Sequence, residues 1–284
     1  MKSVGIVGAG PAGLFLAKYL SDVAKINIYE QSNNILGHYN YSLDTKKNNF
    51  MNILQNDNVK LFLNRKIKNT AELNDDVIIL CTGGIQRDKI KNTKSAVENI
   101  KSIFEKNPNK IGTNICIIGM GNVAFDYLTL IKDKIKNATV LSRSNILKSK
   151  FDNGKLRDIS KYYNIKIINN LISNNDIKTR IDKSRDNIIK NIKEVADKPQ
   201  LNLIFETNVK EVKNNSVTFE TNNKIEKKVF DDVFSSIGFI PNDNVKVTDD
   251  KLVFKLGWCK NATGDISKTQ IDALRLSNHI KTII

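Results

Sequence analysis

A chain of 284 residues is long enough for two modest domains, each with a hydrophobic core of its own. Apolar residues make up 40% and charged residues 26%, and no apolar run approaches the ~20 residues of a membrane-spanning helix, which excludes a membrane-spanning protein. The formal net charge of +15 suits an acidic partner, although Lys, Asn and Ile are all abundant, as AT-rich coding produces; no zinc finger, recognition helix or aromatic-interleaved basic stripe points to nucleic acid. The opening residues MKSVGIVGAG run straight into a strand, so no cleavable presequence is expected, while an internal import signal stays open.

Lys2 to Val7 is a short apolar run ending in glycines, Leu14 to Ser21 has helical spacing, and Ile26 to Glu30 alternates as a strand does. Strand, glycine turn, helix and strand make a βαβ unit. Val77 to Gly84 reads as a buried strand closed by a glycine pair, and the polar stretch Asn107 to Lys110 as an interdomain linker. The same grammar restarts at Asn114: a strand, a helix from the next glycine turn to about Lys134, and a strand over Ala138 to Arg143. Helical patterns follow over Asp152 to Tyr163 and Lys183 to Asp197, the second stopped by Pro199. From Leu201 to Phe239 alternating segments separated by Asn-rich turns read as a small β-meander, and the residues from Lys268 onward as a last helix.

Gly8, Gly10 and Gly13 of GAGPAG form a GxGxxG fingerprint, with Pro11 and Ala12 opening the helix. Gly8 permits the tight turn, Gly10 lets backbone amides approach a pyrophosphate, and Gly13 lets helix and strand pack closely. Alone the motif is weak. Here it follows a strand, opens a helix and is completed by Glu30, a carboxylate placed to accept hydrogen bonds from a ribose diol, which fits FAD. Gly37, after the second strand, and Gly83 complete this cofactor-binding set.

The second fingerprint carries Gly119 and Gly121, with Ala124 in the third place. In the place of Glu30 it offers Arg143, followed by Lys148 and Lys150, cations that suit the 2′-phosphate of NADP(H); the other reading of Arg143 is a solvated strand-end charge. Asn122, Val123 and Asp126 begin the helix, where Asp126 either simply favours the N-terminus or takes a catalytic, nicotinamide-positioning role. Cys81, Cys116 and Cys259 lie far apart with no CxxC, so buried reduced thiols are expected, with no metal site and no redox disulfide. His38 and His279 read as packing or surface histidines.

GIVGAGPAGLFLAKYL, IYE, CIIGMGNVAFDYL, VLSR, FDNGKLRDI, VFSSIGF and LGWCKNATGDISKTQIDALRLSNHI, in this order, resemble the adrenodoxin reductase family of NADPH-dependent ferredoxin reductases. The resemblance spans almost the whole chain and implies an α/β fold with two Rossmann-like dinucleotide-binding domains. These are a three-layer FAD domain from residues 1–106 and 235–284 and an inserted NADPH domain over 107–234. It further implies a monomeric oxidoreductase that takes hydride from NADPH through FAD and passes electrons to an acidic [2Fe-2S] ferredoxin in support of iron-sulfur cluster assembly. The expected location is a mitochondrion or mitochondrion-derived organelle, with the cytoplasm as the alternative. On this resemblance Trp258 lies near flavin and nicotinamide, Gly264, Asp265 and Ile266 offer backbone amides to the flavin's pyrimidine end, and Asn122 contacts NADPH. Asp126 and Trp258 are the candidate catalytic residues.

The chain departs from the family where Arg143 is followed by Ser144 instead of a second arginine, where Lys155 replaces an acidic residue, and where Asp44-Thr45 stands for an Asp-His pair. These departures leave two other readings open: an NAD(P)H flavoprotein with another acceptor, such as a quinone or free flavin, and a non-catalytic scaffold that keeps the fold.

Overall fold

In a computed structural model the described residues are 1–43, 45–169, 176–248 and 251–284. The first segment supplies β1 (Ser3–Val7), α1 (Pro11–Leu20), β2 (Lys25–Tyr29), β3 (Val59–Phe62), β4 (Val77–Leu80) and β5 (Gly84–Gln86). There follow β6 (Lys94–Ser95), α2 (Ala96–Phe104), β7 (Asn114–Ile118), α3 (Asn122–Ile131), β8 (Asn137–Leu141), α4 (Asn153–Ile159) and β9 (Asn164–Ile168). Next come α5 (Arg180–Lys190), β10 (Gln200–Ile204), β11 (Asn208–Lys213), β12 (Ser216–Thr221), β13 (Lys224–Val229) and β14 (Asp232–Ser235). The last segment adds β15 (Phe239–Pro241), β16 (Leu252–Lys255), α6 (Trp258–Asn261) and α7 (Ile266–Lys281).

Two compact units result: Met1–Arg87 with Phe239–Ile284, and Asp88–Gly238. The expected divisions at 106 and 235 are therefore corrected to 87 and 238, and Asn107 to Lys110 lies inside the second unit instead of linking the two. The physical reason is strand pairing at a distance. Lys94 and Ser95 of β6 pair with Phe234 and Ser235 of β14, Lys94 Nζ meets Asp232 Oδ1 at 2.5 Å, and α2 packs on α3.

In the first unit five parallel strands run in the order β16-β4-β1-β2-β3. Val4 and Ile6 of β1, Ile26 and Ile28 of β2 and Ile79 of β4 form one core with Leu14, Leu16 and Leu20 of α1 and Ala273 and Ile280 of α7. Alternate strand residues point to the opposite face, so Val7, Ile78 and Leu80 gather instead with Ile67, Leu73 and Cys259. Burial of both faces explains why β1 and β4 read as near-continuous apolar runs, whereas β2 alternates between buried and more open positions.

The second unit carries six parallel strands in the order β6-β14-β7-β8-β10-β9. The meander is β11-β12-β13 alone, turning through Asn214-Asn215 and Asn222-Asn223 with positive φ at all four, a conformation asparagine tolerates better than most residues. Its Val212, Val217 and Phe219 pack against Cys116, Ile118, Leu141, Ile204 and Val233 of the parallel sheet. The segment from Leu201, expected in the meander, is corrected to β10, between β8 and β9. Leu201, Leu203 and Ile204 are buried there, as a central strand requires. No helix among the described residues is long and apolar enough to cross a membrane.

Candidate functional site

Each parallel sheet reverses its order beside the strand that feeds a glycine turn, and ligands of open α/β sheets bind outside the carboxyl ends of strands at such a reversal. In the first unit the reversal lies at β1, between β4 and β2, and in the second at β7, between β14 and β8. The two turns are built alike. Gly8 N–H donates to Tyr29 O (2.8 Å) and Gly119 N–H to Leu141 O (2.9 Å), while Cys81 N–H returns to Val7 O and Ser236 N–H to Ile118 O.

Gly8 (φ +109°) and Gly119 (φ +103°) occupy a region closed to most side chains, and a Cβ would fall 2.4 Å from Cys81 O and 2.3 Å from Ser236 O respectively. Gly13 is demanded by packing, since a Cβ there would lie 2.2 Å from Gly8 O; in the second unit Ala124, fully buried, takes its place. The middle glycines differ. Gly10 (φ −74°, ψ 177°) and Gly121 (φ −121°, ψ −178°) have ordinary extended backbones, and a Cβ on either would meet no atom within 4 Å. Nothing inside the protein requires glycine at these two positions, and the space a side chain would fill is open.

Helices α1 and α3 start from these turns without a side-chain cap, whereas Ser95, Thr179 and Asp265 cap α2, α5 and α7. An uncapped N-terminus offers free N–H groups and the positive end of the helix dipole to an anion. Pro11, at N1 of α1, has no N–H to leave unsatisfied, and Ala12 and Gly13 follow it into the buried first turn. Asn122 and Val123 hold the corresponding positions of α3.

Glu30 directly follows β2 and is 8% exposed. Its Oε2 accepts Ala9 N–H, and its Oε1 accepts Ser32 N–H and Ser32 Oγ–H, each at 2.9 Å. Of the roughly four acceptor positions of a carboxylate, one on Oε2 remains for an outside donor. Leu36 N–H bonds to Ala9 O (2.8 Å), which draws the loop carrying Gly37 (φ +50°) back to the glycine turn. Gly83 (φ +72°), at the carboxyl end of β4, faces open space and accepts Asn242 N–H, and Thr82 exchanges bonds with Asn242.

Beside it Trp258 opens α6, its ring 4.9 Å from Phe239, which in turn lies 5.0 Å from His38. Trp258 Nε1–H donates to Gly264 O (3.1 Å). Gly264 has φ +96°, Asp265 caps α7 by accepting Lys268 N–H (2.7 Å), and Ile266 is the first residue of that helix. Trp258, Gly264, Asp265 and Ile266 are thereby one linked element. Of the Asp44-Thr45 pair, Asp44 lies outside the described residues.

In the second unit the ladder ends at Leu141, as it ends at Tyr29 in the first. The residue in the place of Glu30 is therefore Ser142, and the expected equivalence with Arg143 is corrected by one position. Ser142 Oγ is turned onto its own loop by Ser144. Arg143, Lys148 and Lys150 are exposed, and none enters an ion pair among the described residues. Asn122 and Asp152 exchange two hydrogen bonds, Nδ2–H to Oδ2 at 2.5 Å and Asp152 N–H to Asn122 Oδ1 at 2.8 Å. Asp126 is in a largely buried ion pair with Lys155, so the lysine that breaks the family pattern is the aspartate's partner.

No family model and no curated protein matches the sequence. Among solved structures, FprA of Mycobacterium tuberculosis in complex with NADPH superposes with a TM-score of 0.83 at 16% identity, over 99% of this chain and 84% of FprA. The chain has the fold of FprA. A thioredoxin reductase of Lactococcus lactis follows at a TM-score of 0.64 and 15% identity, covering 99% of this chain and 98% of that one. Another from T. acidophilum gives 0.63 at 15% identity, with 100% of both chains covered. FprA is an oxidoreductase of the adrenodoxin reductase type, so at the level of the fold the likeness expected from the motifs is borne out. Parallel Rossmann-like sheets of this kind are shared with these reductase structures.

Neither FprA nor the thioredoxin reductases change the thiol chemistry available here. Cys81, Cys116 and Cys259 are all buried and free, and burial pushes each thiol up from its ordinary value. Cys259 Sγ–H donates to Leu80 O (2.8 Å) and Leu256 O (3.1 Å). Because the thiolate is the reactive form, a thiol reagent should modify the native protein about two orders of magnitude more slowly than the unfolded chain. Rapid loss of one thiol under native conditions would contradict this, and mass spectrometry would identify it.

Proposed function

We propose that the chain is an FAD-dependent oxidoreductase that passes electrons from NADPH to a [2Fe-2S] ferredoxin. The observation that supports this reading best is the pair of glycine turns whose middle residues, Gly10 and Gly121, have no conformational or packing reason to be glycine. Each lies at an uncapped helix N-terminus beside a strand-order reversal. FAD, when bound, supplies what no side chain offers, accepting a hydride's two electrons and releasing them singly. The first turn and the uncapped start of α1 hold its pyrophosphate, the free acceptor position on Glu30 takes a ribose hydroxyl, and Gly264 to Ile266 offer main-chain amides. The second turn and α3 hold the pyrophosphate of NADPH, with Arg143, Lys148 and Lys150 for its 2′-phosphate. Each NADPH reduces two ferredoxins: the two electrons of its hydride leave singly and the hydride's proton is released to solvent.

The experiment is anaerobic. The purified protein should be yellow, should bleach with NADPH, and should then support ferredoxin-coupled cytochrome reduction. A yellow protein that bleaches but reduces no ferredoxin would move the reading to a different acceptor, and a colourless one would remove it.

The net charge of +15 supports an acidic protein as acceptor, since unlike charges steer encounter. Ferredoxin reduction at saturating NADPH should fall steeply as salt rises past ~0.1 M, where the screening length is about 10 Å. Reduction of a small neutral acceptor should hardly change. Parallel decline of the two rates would mean that the lysines do not steer docking.

A further inference from the structure

Arg185, on α5, is 5% exposed, and its guanidinium has no carboxylate within ion-pair distance among the described residues. Burial pulls its pKa down from the ordinary value, with Asp182 and Asp152 opposing the shift from farther off. A buried charge without a counter-ion persists only when its donors are satisfied. Here the acceptors come almost entirely from one loop. Nη1 donates to Ile146 O (2.6 Å), Ser149 O (3.1 Å) and Leu147 O (3.4 Å), Nη2 to Phe151 O (2.6 Å), and Nε to Asn153 Oδ1 (2.8 Å). The guanidinium carbon also lies 4.3 Å from the centre of the Phe151 ring.

Such a set of bonds specifies the path of a backbone more than the position of a helix. The start of α5 is set by its own Thr179–Asp182 capping box, and Asn153, which accepts from Arg185 Nε, also donates from Nδ2 to Ile181 O (3.0 Å). The loop residues turned inward are Ile146, Ser149 and Phe151, while Arg143, Lys148 and Lys150 are exposed. At its far end the loop is tied by Asp152 to Asn122, the first residue of α3. The cations proposed for the 2′-phosphate thus sit on a loop whose carbonyls are gathered onto one side chain, and preorganisation of this kind raises affinity by removing the ordering penalty of binding.

We propose that Arg185 is a positioning residue that holds the loop from Arg143 to Asn153 in the shape that receives a 2′-phosphorylated adenosine. The inference rests on reading the second unit as the NADP(H) site. Lysine would not replace it, because a single ammonium cannot span the planar fork of acceptors from Ile146 to Asn153.

The test uses the full FAD-loaded chain and calorimetric binding of adenosine 2′,5′-bisphosphate against adenosine 5′-monophosphate. Arg185→Lys should weaken the bisphosphate by about tenfold and the monophosphate by less than about twofold, and should speed amide exchange within the loop but not in β7 or β8. Placed on Arg143→Ala, it should cost less bisphosphate affinity than it does alone, because coupled residues are not additive. Asn153→Ala removes one acceptor of the guanidinium together with the bond to Ile181 O, and should shift the same ratio in the same direction; Asn153→Asp, which keeps an Oδ acceptor and loses only the bond to Ile181 O, should not, and the pair decides the matter if Arg185→Lys does not fold. Unchanged bisphosphate affinity in Arg185→Lys and Asn153→Ala, with a clear loss in Arg143→Ala, overturns the proposal and leaves the NADP(H) reading intact. Equal loss of both ligands makes Arg185 merely structural and also overturns it. If Arg143→Ala itself spares the bisphosphate, the NADP(H) reading fails, and this proposal with it.

Discussion

Gly10→Val is expected to empty the first unit of FAD while leaving that unit folded. Valine adopts the extended backbone of Gly10 without strain, and its Cβ would meet no protein atom within 4 Å. The folded chain should lose only about 1 kcal/mol for a poorer helix start. On the proposed reading the same Cβ stands where the pyrophosphate of FAD approaches the backbone, so flavin absorbance per mole of protein should fall to near zero. Gly8→Val and Gly13→Val make the contrast, since their new atoms would fall 2.4 Å from Cys81 O and 2.2 Å from Gly8 O. Those variants should lose thermal stability and flavin together. A Gly10→Val protein that stayed yellow would end the assignment of this turn.

Arg143→Ala should raise the KM for NADPH by roughly ten- to a hundredfold, the range given by losing one charge-assisted hydrogen bond of about 1.5–3 kcal/mol. The KM for NADH, which presents no 2′-phosphate, should change by less than about twofold. Thermal stability should not move, because Arg143 is exposed and holds no ion pair among the described residues. Steady-state kinetics with the two nucleotides decide it. Equal effects on both would make Arg143 a general surface charge.

What could be read in the sequence was local. The turns at Gly8 and Gly119 were legible because strand, glycines and helix are adjacent in the chain, and the two meander turns because Asn-Asn pairs mark positive φ. The unit boundary was not legible, since the membership of Lys94 and Ser95 depends on pairing with Phe234 and Ser235, 140 residues away by register. The one-residue slip between Arg143 and Ser142 has a similar origin, because strand periodicity runs through both residues and only the ladder shows that it stops at Leu141. Lys155 read as a lost acid, and only its place beside Asp126 shows it as a partner. Arg185 left no sequence signal at all, as four of its five acceptors are main-chain carbonyls that any residue would provide.

The division of the first sheet between two distant segments sets an order on synthesis. A ribosome delivers β1, β2, β3 and β4 early, but β16, which pairs along Val77 to Leu80, and α7, which packs on α1, emerge only after the whole intervening unit. Until then β4 is an open edge and the apolar side of α1 lacks Ala273 and Ile280. The inserted unit needs no residue from either flank for its own sheets. It should therefore be the first to become protease-resistant on a stalled nascent chain, while the older N-terminal residues remain dependent on a chaperone or on delay.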